Sequence, residues 1–170
     1  MGFCDASVIS SNLNMMIPEG TLYEFGILNS TMHNDWMRTV CGRLESRYRY
    51  SASLVYNTFA WPDATDSQRK TVEALAETVL MARENYPDKP LAFLYDPDTM
   101  PQDLKGAHKA LDAAVERLYR TRSFRDAPER LEHLFARYEK LIEAERVQKA
   151  AEAAAKAATK KTRKPKAVAA

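Results

Sequence analysis

Three stretches after residue 64 of this chain place apolar residues at helical spacing, each behind a polar residue suited to cap a helix. This pattern restricts the fold more than any other feature of the sequence. Val72, Leu75, Val79, Leu80 and Tyr86 share one face of a helix over 66–86, capped by Thr65 or Asp66. Leu104, Ala107, His108, Leu111, Val115 and Leu118 do so over 100–120, where Thr99 and Gln102 have the spacing of a capping box. Asp126 and Glu129 repeat that spacing ahead of Leu131, Leu134, Phe135, Tyr138, Leu141 and Ile142. Pro87, Pro90, Pro97 and Pro101 punctuate the connection through Leu91–Tyr95. Three amphipathic helices joined by short connections predict a small antiparallel bundle.

The first third is mixed. Residues 3–9 read as a short strand and residues 10–14 as a loop. A strand so placed needs partners that the rest of the sequence does not offer, which points to further structure upstream. Thr21 and Glu24 have capping-box spacing, and Leu22, Phe25, Leu28, Met32, Trp36 and Val40 follow at helical intervals, so one helix is expected over 21–41 with Gly42 as its stop. Residues 51–59 favour extended structure until Trp61-Pro62 ends it. The expected fold is therefore α+β and mostly α. Residues 1–62 form a mixed unit, 63–146 a helical unit, and 147–170 an Ala/Lys-rich basic tail. The third helix runs on into that tail without an apolar stripe, and Thr159–Lys166 is expected to be disordered.

Charge is divided unevenly. Residues 146–170 carry eight Lys or Arg against Glu152 alone, a net +7 in a chain whose total is +2, so the first 145 residues carry −5. A mildly acidic body with a basic tail suits an anionic partner for the tail. Cys4 and Cys41 read as reduced, packed thiols, too few for a zinc site and without a histidine at ligand spacing. No apolar run reaches the ~18 residues of a membrane span. Glycine-rich phosphate loops, a Gly-x-Ser-x-Gly elbow and a His-Glu-x-x-His pair are all missing from the sequence. Asp96-Pro-Asp98 reads as a helix-entry turn and His108 as a packed or locally hydrogen-bonded histidine, while His33 and His133 show no convincing partner. No catalytic constellation emerges.

One stretch remains unexplained by packing. Cys41–Pro62 sets Arg43, Arg47 and Arg49 among Tyr48, Tyr50, Tyr56, Phe59 and Trp61. Arginine can donate two bonds to guanine O6 and N7, and glutamate can accept from the cytosine amino group. Glu45 and Arg47, two apart on an extended segment, would share a face and could read both halves of one C·G pair, with Arg49 beside them. Arg43 is then a phosphate candidate. The other reading is a surface Glu–Arg salt bridge beside tyrosines that pack a domain edge, and spacing alone leans toward it. Tyr56, Phe59 and Trp61 are expected to form the apolar seam between this segment and the helices.

The strings Phe25-Gly-Ile-Leu-Asn-Ser-Thr-Met-His-Asn-Asp-Trp-Met-Arg-Thr-Val-Cys-Gly-Arg-Leu-Glu-Ser-Arg-Tyr-Arg-Tyr-Ser51 and Val55-Tyr-Asn-Thr-Phe-Ala-Trp-Pro62 resemble the end of the target-recognition domain of MmeI-like (type IIL) adenine-specific DNA methyltransferases, some of which are fused restriction endonucleases. Leu94–Pro101 and Ala107–Val115 resemble that family's C-terminal helical domain, and the likeness covers about 3–145. The family binds S-adenosylmethionine through a Phe-x-Gly-x-Gly-type loop and methylates adenine N6 with an Asn-Pro-Pro-Tyr-type motif. Neither motif occurs here. The resemblance therefore implies no cofactor for this chain. It implies DNA recognition as the C-terminal part of a site-specific adenine-N6 methyltransferase, with double-stranded DNA as partner, a separately encoded methyltransferase subunit as a second one, and a cytoplasmic, nucleoid-associated location. It also implies that Glu45 and Arg47 together set one base pair of the target, a C·G pair for this combination. Arg49 matches a further recognition position, and Leu13, in the loop after the first strand, is another. The competing readings are a helical protein-interaction module and a non-functional gene relic.

Overall fold

The computed structural model describes residues 1–5, 7–11 and 14–162, with side chains described as far as Lys156. Its elements are α1 (Leu22–Asn29), α2 (Thr31–Val40), β1 (Gly42–Leu44), β2 (Arg47–Arg49), a π-helical turn (Ala52–Tyr56), α3 (Asp66–Glu84), α4 (Leu91–Leu94), α5 (Gln102–Tyr119) and α6 (Ala127–Thr162). Mostly helical α+β architecture is thus what the chain adopts.

The helix expected over 21–41 is two helices. Thr21 and Glu24 form their capping box as predicted. After the eight residues of α1, Ser30 takes an extended conformation (ψ 160°) and serves both helices. Its Oγ donates to Ile27 O at 2.6 Å and accepts from His33 N at 3.4 Å. The side chain of Asn34 donates to Asn29 O at 3.2 Å, covering a carbonyl at the end of α1. From the other side, Asp112 of α5 accepts from Thr31 N at 2.7 Å. The kink turns α1 against α3 and leaves α2 free to meet α6.

Helix α1 meets α3 at Gly26, where an added Cβ would lie 2.7 Å from Val72 Cγ1 and 3.3 Å from Ala76 Cβ. Val72 and Ala76 are fully enclosed and cannot retreat. Gly26→Ala should therefore lose stability, because overpacking costs about 1–3 kcal/mol against a helix-propensity gain of at most about 1 kcal/mol. A lower urea midpoint checks this, and an unchanged or higher midpoint contradicts it.

Several sequence expectations give way to tertiary structure. No strand occurs among the described residues of 3–9. Asp5 instead nucleates a turn, accepting from Ser7 N through Oδ1 and from Val8 N through its carbonyl, and Phe3 stacks on Phe25 at 5.5 Å. Residues 51–59 are not extended. Ser51 Oγ accepts from Leu54 N, Asn57 N donates to Ala52 O at 2.8 Å, and the resulting turn buries Val55 and Phe59. Thr65 and Gln68 cap α3, but Thr99 does not cap α5. Thr99 Oγ1 donates to Phe93 O at the end of α4, and Pro101 takes the N-cap position. Asp126 Oδ1 does accept from Glu129 N, while the Glu129 carboxylate reaches back to Arg125 N.

The helices also pack differently from a three-helix bundle. Helix α3 packs on α1 and α5, whereas α6 packs chiefly on α2. Because α2 is only ten residues long, it covers only the start of the much longer α6. Leu134 is enclosed there, but Phe135, Leu141 and Ile142, expected to face inward, are 38%, 52% and 46% exposed. One apolar core links Tyr23, Ile27, Trp36, Val55 and Phe59 to Val72, Leu111, Val115 and Leu134, running continuously across Pro62. The described side chains of α6 beyond Val147 stand in solvent. Residues 159–162 of the stretch expected to be disordered continue α6 as helix, and residues 163–170 lie outside the described residues.

Candidate nucleic-acid interface

Helix α2 ends at Cys41, whose N–H donates to Met37 O, and the chain turns straight into a hairpin. Strands β1 and β2 pair antiparallel with Gly42 opposite Arg49, Arg43 opposite Tyr48 and Leu44 opposite Arg47. Glu45 and Ser46 form the two-residue connection, with Glu45 at φ 56°. A positive φ at the first central position suits the right-handed twist of a tight hairpin, although glycine or asparagine is the usual residue there. Here it is glutamate, so the sequence carries no ordinary hairpin signal.

This geometry revises the expected arrangement. Glu45 does not share an extended segment with Arg47 but occupies the tip. The two still meet, Arg47 Nη2 lying 3.7 Å from Glu45 Oε2, with side chains 84% and 77% exposed. Such an exposed pair contributes little stability, so both groups can engage another partner at small cost. Arg47 and Arg49, two apart on β2, share one face, as alternation predicts. Arg43 and Tyr48 share the other, where the Arg43 guanidinium stacks 3.9 Å above the Tyr48 ring. The structure thus separates Arg43 from the Arg47/Arg49 face. Leu13 lies outside the described residues.

The hairpin root is held by groups that sequence reasoning missed. Continuing the alternation by one residue puts Tyr50 on the Tyr48 side, and its hydroxyl lies 3.1 Å from His33 Nε2 in α2. His33 Nδ1 lies 3.1 Å from Leu28 O. A carbonyl can only accept, so Nδ1 carries the proton and Nε2 accepts from Tyr50. Burial holds His33 down to about 4 and pushes Tyr50 up to about 12. The Phe59 ring meets the imidazole edge-on at 5.0 Å. His33 had no visible partner in the sequence because Tyr50 is 17 residues away and only the folded chain joins them.

Behind the hairpin, Phe59 and Trp61 pack at 5.6 Å and Tyr56 and Trp61 at 5.4 Å, forming the expected seam. Tyr119 Oη donates to Ala60 O at 3.0 Å, and Arg137 Nη2 donates to Trp61 O and to Asp63. These bonds fasten the segment to α5 and α6.

Among the described residues no three His, Cys, Asp or Glu converge as metal ligands, and no helix is long and apolar enough to cross a membrane. Cys4 and Cys41 are free thiols, but only Cys41 packs in part against the core, while Cys4 is exposed rather than packed as expected. Arg83 Nε donates to Tyr95 Oη at 2.7 Å, Tyr95 Oη and His108 Nε2 are hydrogen-bonded at 2.8 Å, and burial with the Arg83 charge lowers His108 to about 4. That is the locally bonded histidine expected. Asp96 accepts from Asp98 N, closing the expected helix-entry turn.

Comparison with known proteins gives consistent results. Residues 1–63 match the family model of the MmeI target recognition domain, and residues 64–146 that of the MmeI C-terminal domain. The chain is 43% identical over 143 residues to DNA methyltransferase A of Bacillus subtilis (strain 168), covering 84% of this chain and 16% of that protein. It also resembles the type IIL restriction-modification enzyme MmeI solved in complex with DNA, with a TM-score of 0.72 and 51% identity, covering 75% of this chain and 17% of the other. The chain therefore spans about one-sixth of the length of the relatives it matches.

Proposed function

The chain belongs to the MmeI family, and from that premise we propose that it recognises a DNA sequence as the C-terminal part of a site-specific adenine-N6 DNA methyltransferase of a restriction-modification system. The observation that carries this reading is the hairpin: an exposed two-stranded ribbon holding Arg47 and Arg49 on one face and Glu45 at the tip. A ribbon of that size suits a major groove about 12 Å wide. Arg47 would donate two bonds to guanine O6 and N7, and Glu45 would accept from the amino group of the paired cytosine. Arg49 would read a neighbouring position. Arg43, on the opposite face, would reach a phosphate along the groove wall, and Leu13 would add a further contact.

The exposed basic extension of α6 would add a phosphate contact that carries no sequence information and weakens with salt. Methyl transfer itself would come from a separately encoded subunit or an upstream part of the enzyme, which would supply the S-adenosylmethionine site. The assembly would work in the cytoplasm, at the nucleoid.

Selection from a pool of random duplexes by the 170-residue chain tests the reading. Retained duplexes should share a fixed C·G pair. Retention without any common pair would contradict it.

A further inference from the structure

We propose that His33 is a positioning residue for the recognition hairpin, aiming the Arg47/Arg49 face by holding Tyr50 at the hairpin root. The inference rests on the DNA-recognition reading for its consequence, though not for its geometry. Three-residue strands with every β2 residue exposed cannot hold an orientation by themselves, since isolated two-stranded hairpins are marginal in water. Their direction must be fixed where they join the body.

The chain enters the ribbon from α2 and leaves it at Tyr50 for the Ser51-capped turn, in which Val55 is buried. On the β1 side the chain leaves the helix directly through Cys41. On the β2 side the Tyr50 hydroxyl donates to His33 Nε2, and His33 is fixed in turn by its Nδ1 proton on Leu28 O and by the Phe59 ring against its edge. His33 is 2% exposed, so water cannot readily replace Tyr50 as its partner. Tyr50 lies on the side opposite Arg47 and Arg49. Holding Tyr50 down therefore turns the two arginines away from the body. Releasing it would leave the ribbon held only through its two chain ends, at Cys41 and Ser51, and free to rock about them with its side chains unchanged.

The test uses the full chain. Tyr50→Phe keeps the ring and removes the bond, and His33→Ala is a second, more disruptive variant. Backbone order parameters over 42–49 should fall from rigid values near ~0.85 to below ~0.6 in Tyr50→Phe, while those of α3 and α5 stay unchanged. The affinity ratio between the preferred duplex and one with the C·G pair swapped should fall roughly two- to tenfold, the scale of one neutral hydrogen bond. Affinity for unrelated duplex should stay the same.

Val79→Ala, in the enclosed core of α3, is the control for plain destabilisation. It should lower the melting temperature and leave both hairpin readouts intact. Unchanged order parameters in Tyr50→Phe would overturn the positioning role whether or not the chain reads DNA. An absence of discrimination in the unmodified chain would instead overturn the recognition reading, and the order parameters would still decide the positioning role.

Discussion

Replacing Arg130 by alanine should destabilise the fold by about 3–5 kcal/mol, the cost of leaving buried charge without its partner. Arg130 Nε donates to Asp35 Oδ2 at 2.7 Å and Nη1 to Glu116 Oε1 at 3.0 Å. The three side chains are only 10–16% exposed. They lie on α6, α2 and α5, so one guanidinium joins three helices. Removing it leaves two carboxylates near each other with little water to separate them. Arg130→Lys should recover only part of the loss, because an ammonium cannot reproduce the planar fork that serves both acids. Urea unfolding at neutral pH reads both variants, and a loss below about 1 kcal/mol for alanine, the scale of an exposed pair, would show that the cluster is solvated.

Trp36→Ala should cost a similar amount, about 3–5 kcal/mol, as for other large aromatic truncations in a core. Trp36 is 1% exposed and lies 4.9 Å from the Phe135 ring and 5.7 Å from Tyr138, at the centre of the α2–α6 contact. Leu141→Ala is the informative comparison. Helical periodicity assigns Leu141 to the same inward stripe, yet it is half exposed beyond the reach of α2. Its truncation should stay within about 0.5 kcal/mol, as for surface positions. Comparable losses at both positions would mean that α6 is covered along much more of its length.

These contrasts show what local chemistry specifies and what it leaves to the fold. Caps were legible where a side chain meets the backbone three residues away, as in the Thr21/Glu24 box and at Thr65, one of two candidate caps for α3. The break at Ser30 was not, because helical spacing of apolar residues continues through it and only the serine's double cap marks it. The same holds for 51–59, where Ser51, Val55 and Phe59 follow a helical interval that the β-branched and aromatic composition disguised. Leu141 and Ile142 were misplaced because periodicity reports that a stripe exists but not how much of it a partner covers.

In the candidate interface, the shared face of Arg47 and Arg49 followed from alternation alone. Glu45 at the turn did not, since no glycine or asparagine announced it. The His33–Tyr50 anchor could not be read at all before the chain had folded, because both residues are ordinary in their local context.

The central claim is that the Arg47 face reads a base pair, and it is tested most directly by titrating the chain and its Arg47→Ala variant with two duplexes that differ only in one C·G pair. The unmodified chain should prefer one duplex, and Arg47→Ala should lose about 1–3 kcal/mol of that preference while its affinity for unrelated duplex changes little. A variant that keeps the preference in full would contradict base reading by Arg47.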